Sequence, residues 1–170
     1  MLSKWRKKAR ARRLRRAIQA ASNEHGLPFG LIASIIFKES RGSYTARRYE
    51  PNFYLNYIVG KPKKFLSGHW PKDLSEDTER MERAVSWGCM QVMGQVAREF
   101  GFDGDFSELL KPKPAIEFGM RKLVQCWKKE TSTRAAIACY NGDPRKPAPQ
   151  RYAADVLRIM STKQYEELFK

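Results

Sequence analysis

Residues 26–40 of the chain read GLPFGLIASIIFKES, and this stretch decides the fold. Pro28 is typical of a first helical turn. The 3.6-residue period of a helix then places Ile32, Ile35 and Glu39 on one face. The sequence therefore predicts an amphipathic helix whose last turn carries a carboxylate, and this carboxylate is the most informative local feature of the chain.

The position of Glu39 suggests acid chemistry. Neighbouring isoleucines reduce the solvation of the carboxylate, and the C-terminal end of the helix dipole repels an anion, so both effects predict a raised pKa. A glutamic acid that is partly protonated near neutral pH suits the acid-catalysed cleavage of an acetal. The alternative is an interfacial glutamate paired with a nearby cation, which spacing alone favours. The cations in question are Lys38, Arg41 and Arg47.

Apolar periodicity predicts further helices. They cover residues 14–21, 79–100 with a break near 86–88, 114–129, 132–141 and 152–160. Thr131 or Ser132 can cap the fourth of these. Strand patterns are few, and residues 43–80 are rich in aromatic residues, proline and lysine without a sustained period. The sequence thus predicts one mainly α domain over residues 14–170, with a long irregular excursion at 43–80.

Positive charge is concentrated near the N-terminus. The chain has 33 Lys and Arg against 18 Asp and Glu, which gives a net charge of +15. Nine cations and no acid fall within residues 1–21, namely Lys4, Arg6, Lys7, Lys8, Arg10, Arg12, Arg13, Arg15 and Arg16. We expect residues 1–13 to form a basic extension that is solvated or docks on an anion. Charge alone does not distinguish a bacterial envelope from nucleic acid.

Cysteine and histidine usage gives no sign of a metal centre. Cys89, Cys126 and Cys139 lack metal-ligand spacing and fall in apolar helical stretches, so we expect buried free thiols, although one pair can still oxidise. His25 and His69 are the only histidines of the chain, and no ligand constellation surrounds them. The sequence predicts neither a metal nor another cofactor.

Three short motifs follow one another along the chain. They are KES at residues 38–40, SWGCMQVM at 86–93 and ACYNG at 138–142. Their order and the helices between them resemble the lysozyme-like lytic transglycosylase family, the soluble lytic transglycosylase type of catalytic domain. The resemblance spans roughly residues 14–160 and implies a lysozyme-like, two-lobed helical domain. The stretch RYEPNFY at 48–54 is similar to phage-borne members.

The resemblance assigns roles to individual residues. Glu39 matches the family's catalytic acid and base, and Tyr140 matches a tyrosine whose hydroxyl lies against that carboxyl group. Substrate contacts are implied for Ser40, Ser86, Met90, Gln91 and Asn141. Structural roles stay open for some of these residues, because Met90 and Tyr140 can be core residues and Gln91 can cap a helix.

The spacing between two motifs departs from the family's common form. Gln91 follows Glu39 by 52 residues, and the excess length falls on residues 47–81. Aromatic side chains of this segment can stack on sugar rings, or they can bury the excursion against the rest of the domain. The sequence leaves both roles open.

The implied substrate is the glycan strand of bacterial peptidoglycan. One glutamate protonates the bond between N-acetylmuramic acid and N-acetylglucosamine and then closes a 1,6-anhydro ring without consuming water. A second carboxylate, Glu50 or Glu82, would instead permit hydrolysis as in a goose-type lysozyme. A further alternative is an inactive wall- or nucleic-acid-binding virion protein, against which the intact motifs argue.

The sequence also predicts where the protein acts and what it binds. The N-terminal segment lacks the apolar core of a secretion signal, and no stretch approaches the ~18 apolar residues of a membrane span. We therefore expect a monomeric bacteriolytic enzyme that is virion-associated, or made in the host cytoplasm and delivered to the periplasm and cell wall. The basic extension is expected to meet an anionic envelope surface, and nucleic acid is not expected as a functional partner.

Overall fold

The computed structural model describes the backbone of residues 2–170 and the side chains of residues 5–170, so the side chain of Lys4 lies outside the described residues. The chain forms two compact units, a helical unit (Met1–Gly42 with Gly119–Lys170) and a middle unit (Ser43–Phe118). The helices are α1 (Leu2–His25), α2 (Phe29–Ser40), α3 (Pro51–Phe53), α4 (Glu76–Arg83), α5 (Gly94–Glu99), α6 (Pro112–Lys129), α7 (Thr133–Asn141) and α8 (Pro147–Ser161). The strands are β1 (Arg47–Tyr49), β2 (Val85–Trp87) and β3 (Val92–Met93). Shorter 3₁₀ and π-helical turns lie at Tyr54–Ile58, Lys63–Phe65, Phe106–Leu110 and Gln164–Phe169. The mainly α fold class is confirmed.

The helical unit is built around α2. Residues 31–37 are all buried, because α1, α8 and the 3₁₀ helix at the C-terminus pack against this helix. The helix ends at Arg41, which adopts a left-handed conformation with φ of 52° and donates its N–H to the carbonyl of Phe37 at 3.1 Å. Its last turn is where the chain leaves the core, which places Glu39 at the edge of the buried region.

The basic N-terminal residues are helical. α1 runs without a break from Leu2 to His25. Leu14, Ile18 and Ala21 are buried, which confirms the apolar stripe predicted for its second half. Within residues 2–170, no helix combines the length and the apolar character needed to cross a membrane.

The middle unit contains an antiparallel sheet with the strand order β1-β2-β3. The predicted helix over residues 79–100 is wrong between 84 and 93, where the chain forms β2, a turn and β3. Gly88 makes this turn with φ of 69°, and a Cβ on it would lie 2.1 Å from the carbonyl oxygen of Leu109. Only glycine fits there. The break predicted near residues 86–88 is therefore a change from helix to strand.

A buried ion network joins α4 to the preceding part of the excursion. Glu79 is 1% exposed, and it accepts hydrogen bonds from Arg83 at 2.8 Å and from Arg98 at 2.9 Å. Arg83 also donates to the backbone carbonyls of Ser67 and His69. Because the arginine binds the excursion's backbone directly, this irregular segment has a defined place in the middle unit.

Burial, one of the two roles left open by the sequence, accounts for some of the aromatic side chains of the excursion, and stacking on sugar rings stays a prediction for the others. Three of them pack against a small buried cluster of apolar residues, namely Phe53, Tyr54 and Trp70. Tyr49 and Tyr57 remain 43% and 60% exposed. Burial therefore explains the first group, and the second group faces solvent.

One pair of cysteines forms a disulfide. Cys126 near the end of α6 is bonded to Cys139 on α7, whereas Cys89 is buried and belongs to no disulfide. The expectation of buried free thiols was therefore wrong for Cys126 and Cys139. The turn between α6 and α7 brings their Cα atoms to 5.7 Å, a usual separation for a disulfide.

Candidate active site

Glu39 lies in the last turn of α2 and is partly buried. Its Oε1 accepts a hydrogen bond of 2.6 Å from the hydroxyl of Tyr152, which α8 supplies. Tyr152 is 7% exposed. The carboxyl group is therefore held at the edge of the core by a buried phenol.

The electrostatics of this contact keep the tyrosine protonated. Burial raises the pKa of Tyr152 well above its ordinary value, and the neighbouring charge of Glu39 and the presence of Tyr140 raise it further. A phenol with such a pKa stays a neutral donor throughout the neutral range. It can therefore donate to Glu39 over the whole of that range.

The cations adjoining Glu39 in sequence have other partners. Lys38 forms an ion pair with Asp155 of α8, with 2.5 Å between Nζ and Oδ2. The guanidinium of Arg41 lies 4.1 Å from the ring centroid of Phe37. The ion pair adds a second link between α2 and α8, beside the link made by Tyr152.

Tyr140 belongs to the same neighbourhood, since it contributes to the raised pKa of Tyr152. It is 5% exposed, and the Nζ of Lys122 lies 5.7 Å from its ring centroid. Asn141 is exposed as the last residue of α7. The hydroxyl of Ser40 donates to the carbonyl of Ile36 at 3.4 Å, a contact within its own helix.

Gln91 closes a loop in the middle unit. Its Nε2 donates to the carbonyls of Ala46 at 3.1 Å and Gly88 at 2.9 Å. Its backbone has φ of 50°, which is uncommon for a residue with a side chain. Both amide hydrogens are thus engaged, and among the described residues no donor contacts its Oε1.

Ser86 lies on β2 and is 4% exposed. Its hydroxyl donates to Oε1 of Glu50 at 3.1 Å, and the same oxygen accepts from Nε of Arg48 at 2.6 Å. Met90 is fully buried in the turn that follows β2, which agrees with a core role. The structure therefore joins Ser86 to one of the two candidate second carboxylates.

The other candidate, Glu82, lies at a different surface of the middle unit. Burial raises its pKa, as do the nearby carboxylates of Asp105 and Glu79. It borders a groove of about 460 Å³ lined by Arg47, Tyr49, Thr78, Met81, Glu82, Val85 and Trp87. Two of the residue pairs between β1 and β2 line this groove, namely Arg47 with Trp87 and Tyr49 with Val85. The Arg48–Ser86 pair lies between them. Successive strand residues point to opposite faces of a sheet. Ser86 and its partner Glu50 therefore lie on the face opposite the groove that Glu82 borders.

Comparison with known families decides the identity. A family model described as the transglycosylase SLT domain matches residues 16–154. The chain belongs to this family. Searches of curated proteins and of solved structures returned no match. Members of the SLT family are peptidoglycan lytic transglycosylases, so the chain is an enzyme of this kind and its substrate is peptidoglycan.

The matched segment of this SLT domain contains a contact that the sequence did not predict. The hydroxyl of Tyr152 donates to Oε1 of Glu39. The resemblance assigns a hydroxyl at the same carboxyl group to Tyr140, and that role stays a prediction. Tyr152 was interpreted as one more apolar position of the closing helix. Its hydroxyl was the available signal, because a buried tyrosine needs a hydrogen-bond partner.

Proposed function

We propose that this SLT domain cleaves the β-1,4 bond between N-acetylmuramic acid and N-acetylglucosamine, with Glu39 as both acid and base. The observation that supports this role is the 2.6 Å hydrogen bond from Tyr152 to Glu39 at the edge of the core. A buried donor fixes the orientation of the carboxyl group, and orientation is a large part of general acid catalysis. Glu39 also lies within the segment matched by the family model.

The proposed reaction uses one carboxyl group twice. The transferable proton is the one carried by the protonated carboxyl group of Glu39. Glu39 gives this proton to the glycosidic oxygen, the bond from that oxygen to C1 breaks, and the acetamido group of the sugar stabilises the cation. Glu39 then takes the proton of the C6 hydroxyl while the bond between O6 and C1 forms. The carboxyl group is regenerated, and no water is consumed.

Other residues are proposed to bind the glycan. Oε1 of Gln91 suits this role, because two backbone carbonyls occupy its Nε2 and so orient the amide. It can accept a hydrogen bond from a hydroxyl or an acetamido N–H. Asn141 is exposed and offers both a donor and an acceptor. Ser40 and Met90 are assigned supporting roles in their turns.

The product and one substitution test the proposal together. Wild-type enzyme should release muropeptides that end in 1,6-anhydro-N-acetylmuramic acid, which resist borohydride reduction. Glu39→Gln should fold normally and lose ~10²-fold or more of this activity, since general acid–base catalysis has that magnitude. Mass spectrometry of digested sacculi measures both results. A folded Glu39→Gln enzyme with near-normal turnover would show that another group supplies the proton.

Hydrolysis is the second candidate, and the contact between Ser86 and Glu50 favours it. If Glu50 oriented a water molecule, the products would carry reducible ends and a mass greater by one water. A dominance of such ends would refute the transglycosylase product and make Glu50→Gln the next variant. Glu82→Gln is a separate variant, because Glu82 lies at a groove on the other face of the sheet.

We further propose that the enzyme acts on the cell wall as a monomeric, phage-borne protein. The motif RYEPNFY supports a phage origin. Detection of the chain in purified virions by mass spectrometry would assign it to entry. Its presence only in lysates of infected cells would assign it to lysis.

A further inference from the structure

The outer face of α1 gathers cations around an exposed tryptophan. A groove of about 260 Å³ follows this face, lined by Trp5, Lys8, Ala9, Arg12, Arg13 and Arg16. Helical spacing of three and four residues puts all six positions on one side. The side chain of Trp5 is largely in solvent, since the residue is 71% exposed. We call this surface the Trp5–Arg16 face.

Two other cations of α1, Arg10 and Arg15, contact the rest of the helical unit. Arg10 donates from Nη2 to the carbonyl of Gly42 at 2.9 Å. The guanidinium of Arg15 lies 4.5 Å from the ring centroid of Phe169 and 5.8 Å from that of Phe29. These contacts, together with the buried Leu14, fix the inner side of α1 to the helical unit. The structure thus separates cations that hold the helix in place from cations that face outward.

We propose that the Trp5–Arg16 face binds the surface of a lipid bilayer containing anionic phospholipids. Lys8, Arg12, Arg13 and Arg16 pair with lipid phosphates, and Trp5 enters the headgroup boundary, where an indole ring is favoured. The first acidic residue of the chain is Glu24, so no acid on this face opposes the attraction. This attachment holds the enzyme at the envelope beside its polymeric substrate.

The geometry favours a bilayer over a nucleic acid. From Arg10 onward the inner side of α1 is fixed to the rest of the helical unit, so this part of the helix presents one side to a partner. A plane can meet one side of a helix. A DNA major groove about 12 Å wide instead encloses the helix that enters it. An indole beside cations on one helix face is also typical of interfacial anchoring.

A pair of charge-matched variants of the full chain tests this proposal. The first replaces Lys8, Arg12, Arg13 and Arg16 with glutamine. The control replaces four exposed lysines elsewhere with glutamine, namely Lys61, Lys72, Lys128 and Lys129. Each variant lowers the net charge by four. Circular dichroism and activity on soluble glycan strands, unchanged in both, establish that the variants are folded.

Co-sedimentation with phosphatidylcholine vesicles, with and without phosphatidylglycerol, gives the affinities. Wild type should bind the anionic vesicles at low salt and release them at high salt. The first variant should lose about a hundredfold or more in affinity, since each cation near an anionic surface contributes about fivefold. The control should keep most of its affinity. Equal losses in the two variants would overturn the proposal.

The role of Trp5 has a separate readout. Acyl chains brominated near the headgroup should quench the fluorescence of the wild-type protein, and the quenching should be largely lost in Trp5→Phe. Equal quenching in both proteins would show that Trp5 does not enter the bilayer, which contradicts the proposal. Tighter binding to duplex DNA than to anionic vesicles, at equal phosphate concentration and salt, would assign the face to nucleic acid instead.

Discussion

At the scale of single residues, the hydroxyl of Tyr152 orients the carboxyl group of Glu39, and Glu39 is proposed to transfer the proton. The raised pKa of Tyr152 keeps its proton in place, so this residue cannot supply the proton that breaks the glycosidic bond. It can orient Glu39 and stabilise its carboxylate through the 2.6 Å hydrogen bond. Tyr152 is therefore a positioning residue, and the proposed proton transfers belong to Glu39.

Removal of single hydroxyl groups separates the two buried tyrosines. We expect Tyr152→Phe to lower kcat about 10- to 100-fold with little change in KM, since a hydrogen bond to a charged group contributes about 1.5–3 kcal/mol. Tyr140→Phe is the matched change on α7; it tests the role that the resemblance assigns to Tyr140, and it should lose less activity. Steady-state kinetics on soluble glycan strands, with thermal melts as a check of folding, measure both. A greater loss of kcat in Tyr140→Phe would assign the positioning role to Tyr140.

At the scale of elements, the disulfide between α6 and α7 supports the helix that carries Tyr140 and Asn141. Cys139 immediately precedes Tyr140, and α7 packs along α8, which carries Tyr152. Ser132, one of the two caps that the sequence allowed, caps the start of α7 by accepting from the N–H of Ala135 at 3.2 Å. One end of this short helix is thus set by a cap and the other by a covalent bond.

Reduction of this disulfide should destabilise the enzyme. The bond links residues 13 apart, and closing a loop of this size contributes about 3 kcal/mol. A reductant should therefore lower the Tm of the wild-type protein by about 10 °C. The variant with Cys126→Ala and Cys139→Ala should not respond to the reductant. An unchanged wild-type Tm, with alkylation confirming that both thiols are free, would show that helix packing alone holds α7.

At the scale of the whole molecule, sequence pattern predicted the elements that depend on local order. α2, α6, α7 and α8 follow from apolar periodicity and terminal residues, which act within a few positions of each other. The turn between β2 and β3 did not follow from such a pattern. It depends on the approach of Gly88 to the carbonyl of Leu109, a contact between distant parts of the chain.

The same distinction applies to the candidate site. Glu39 stood out because its apolar helical face is local to its own sequence. Its hydrogen bond with Tyr152 joins residues 113 apart, and an apolar period gives no information about such a partner. Glu79 was one of several acids in the excursion, and its buried position depends on Arg98, 19 residues away. Contacts of this range require the folded chain.

The network around Glu79 carries the last prediction, because it organises the longest irregular part of the molecule. Arg83 and Arg98 are 0% and 1% exposed at their side chains, so both depend on Glu79 for a counter-charge. Glu79→Gln would leave two buried guanidinium groups without the carboxylate to which both donate hydrogen bonds. Breaking a buried ion pair in this way costs about 3–5 kcal/mol. We expect a clearly lower urea midpoint for the variant.

Glu76→Gln is the matched control, because Glu76 lies on the same helix but pairs with Lys63 and Arg80 at the surface. Screened surface pairs contribute little, so the midpoint of this variant should hardly move. Hydrogen exchange then locates the effect. Arg83 donates to the backbone at residues 67 and 69, and Arg98 donates at residues 102 and 104. Both segments should exchange faster in Glu79→Gln and keep their protection in Glu76→Gln. Equal exchange in the two variants would mean that apolar packing, and not the ion network, holds the excursion in place.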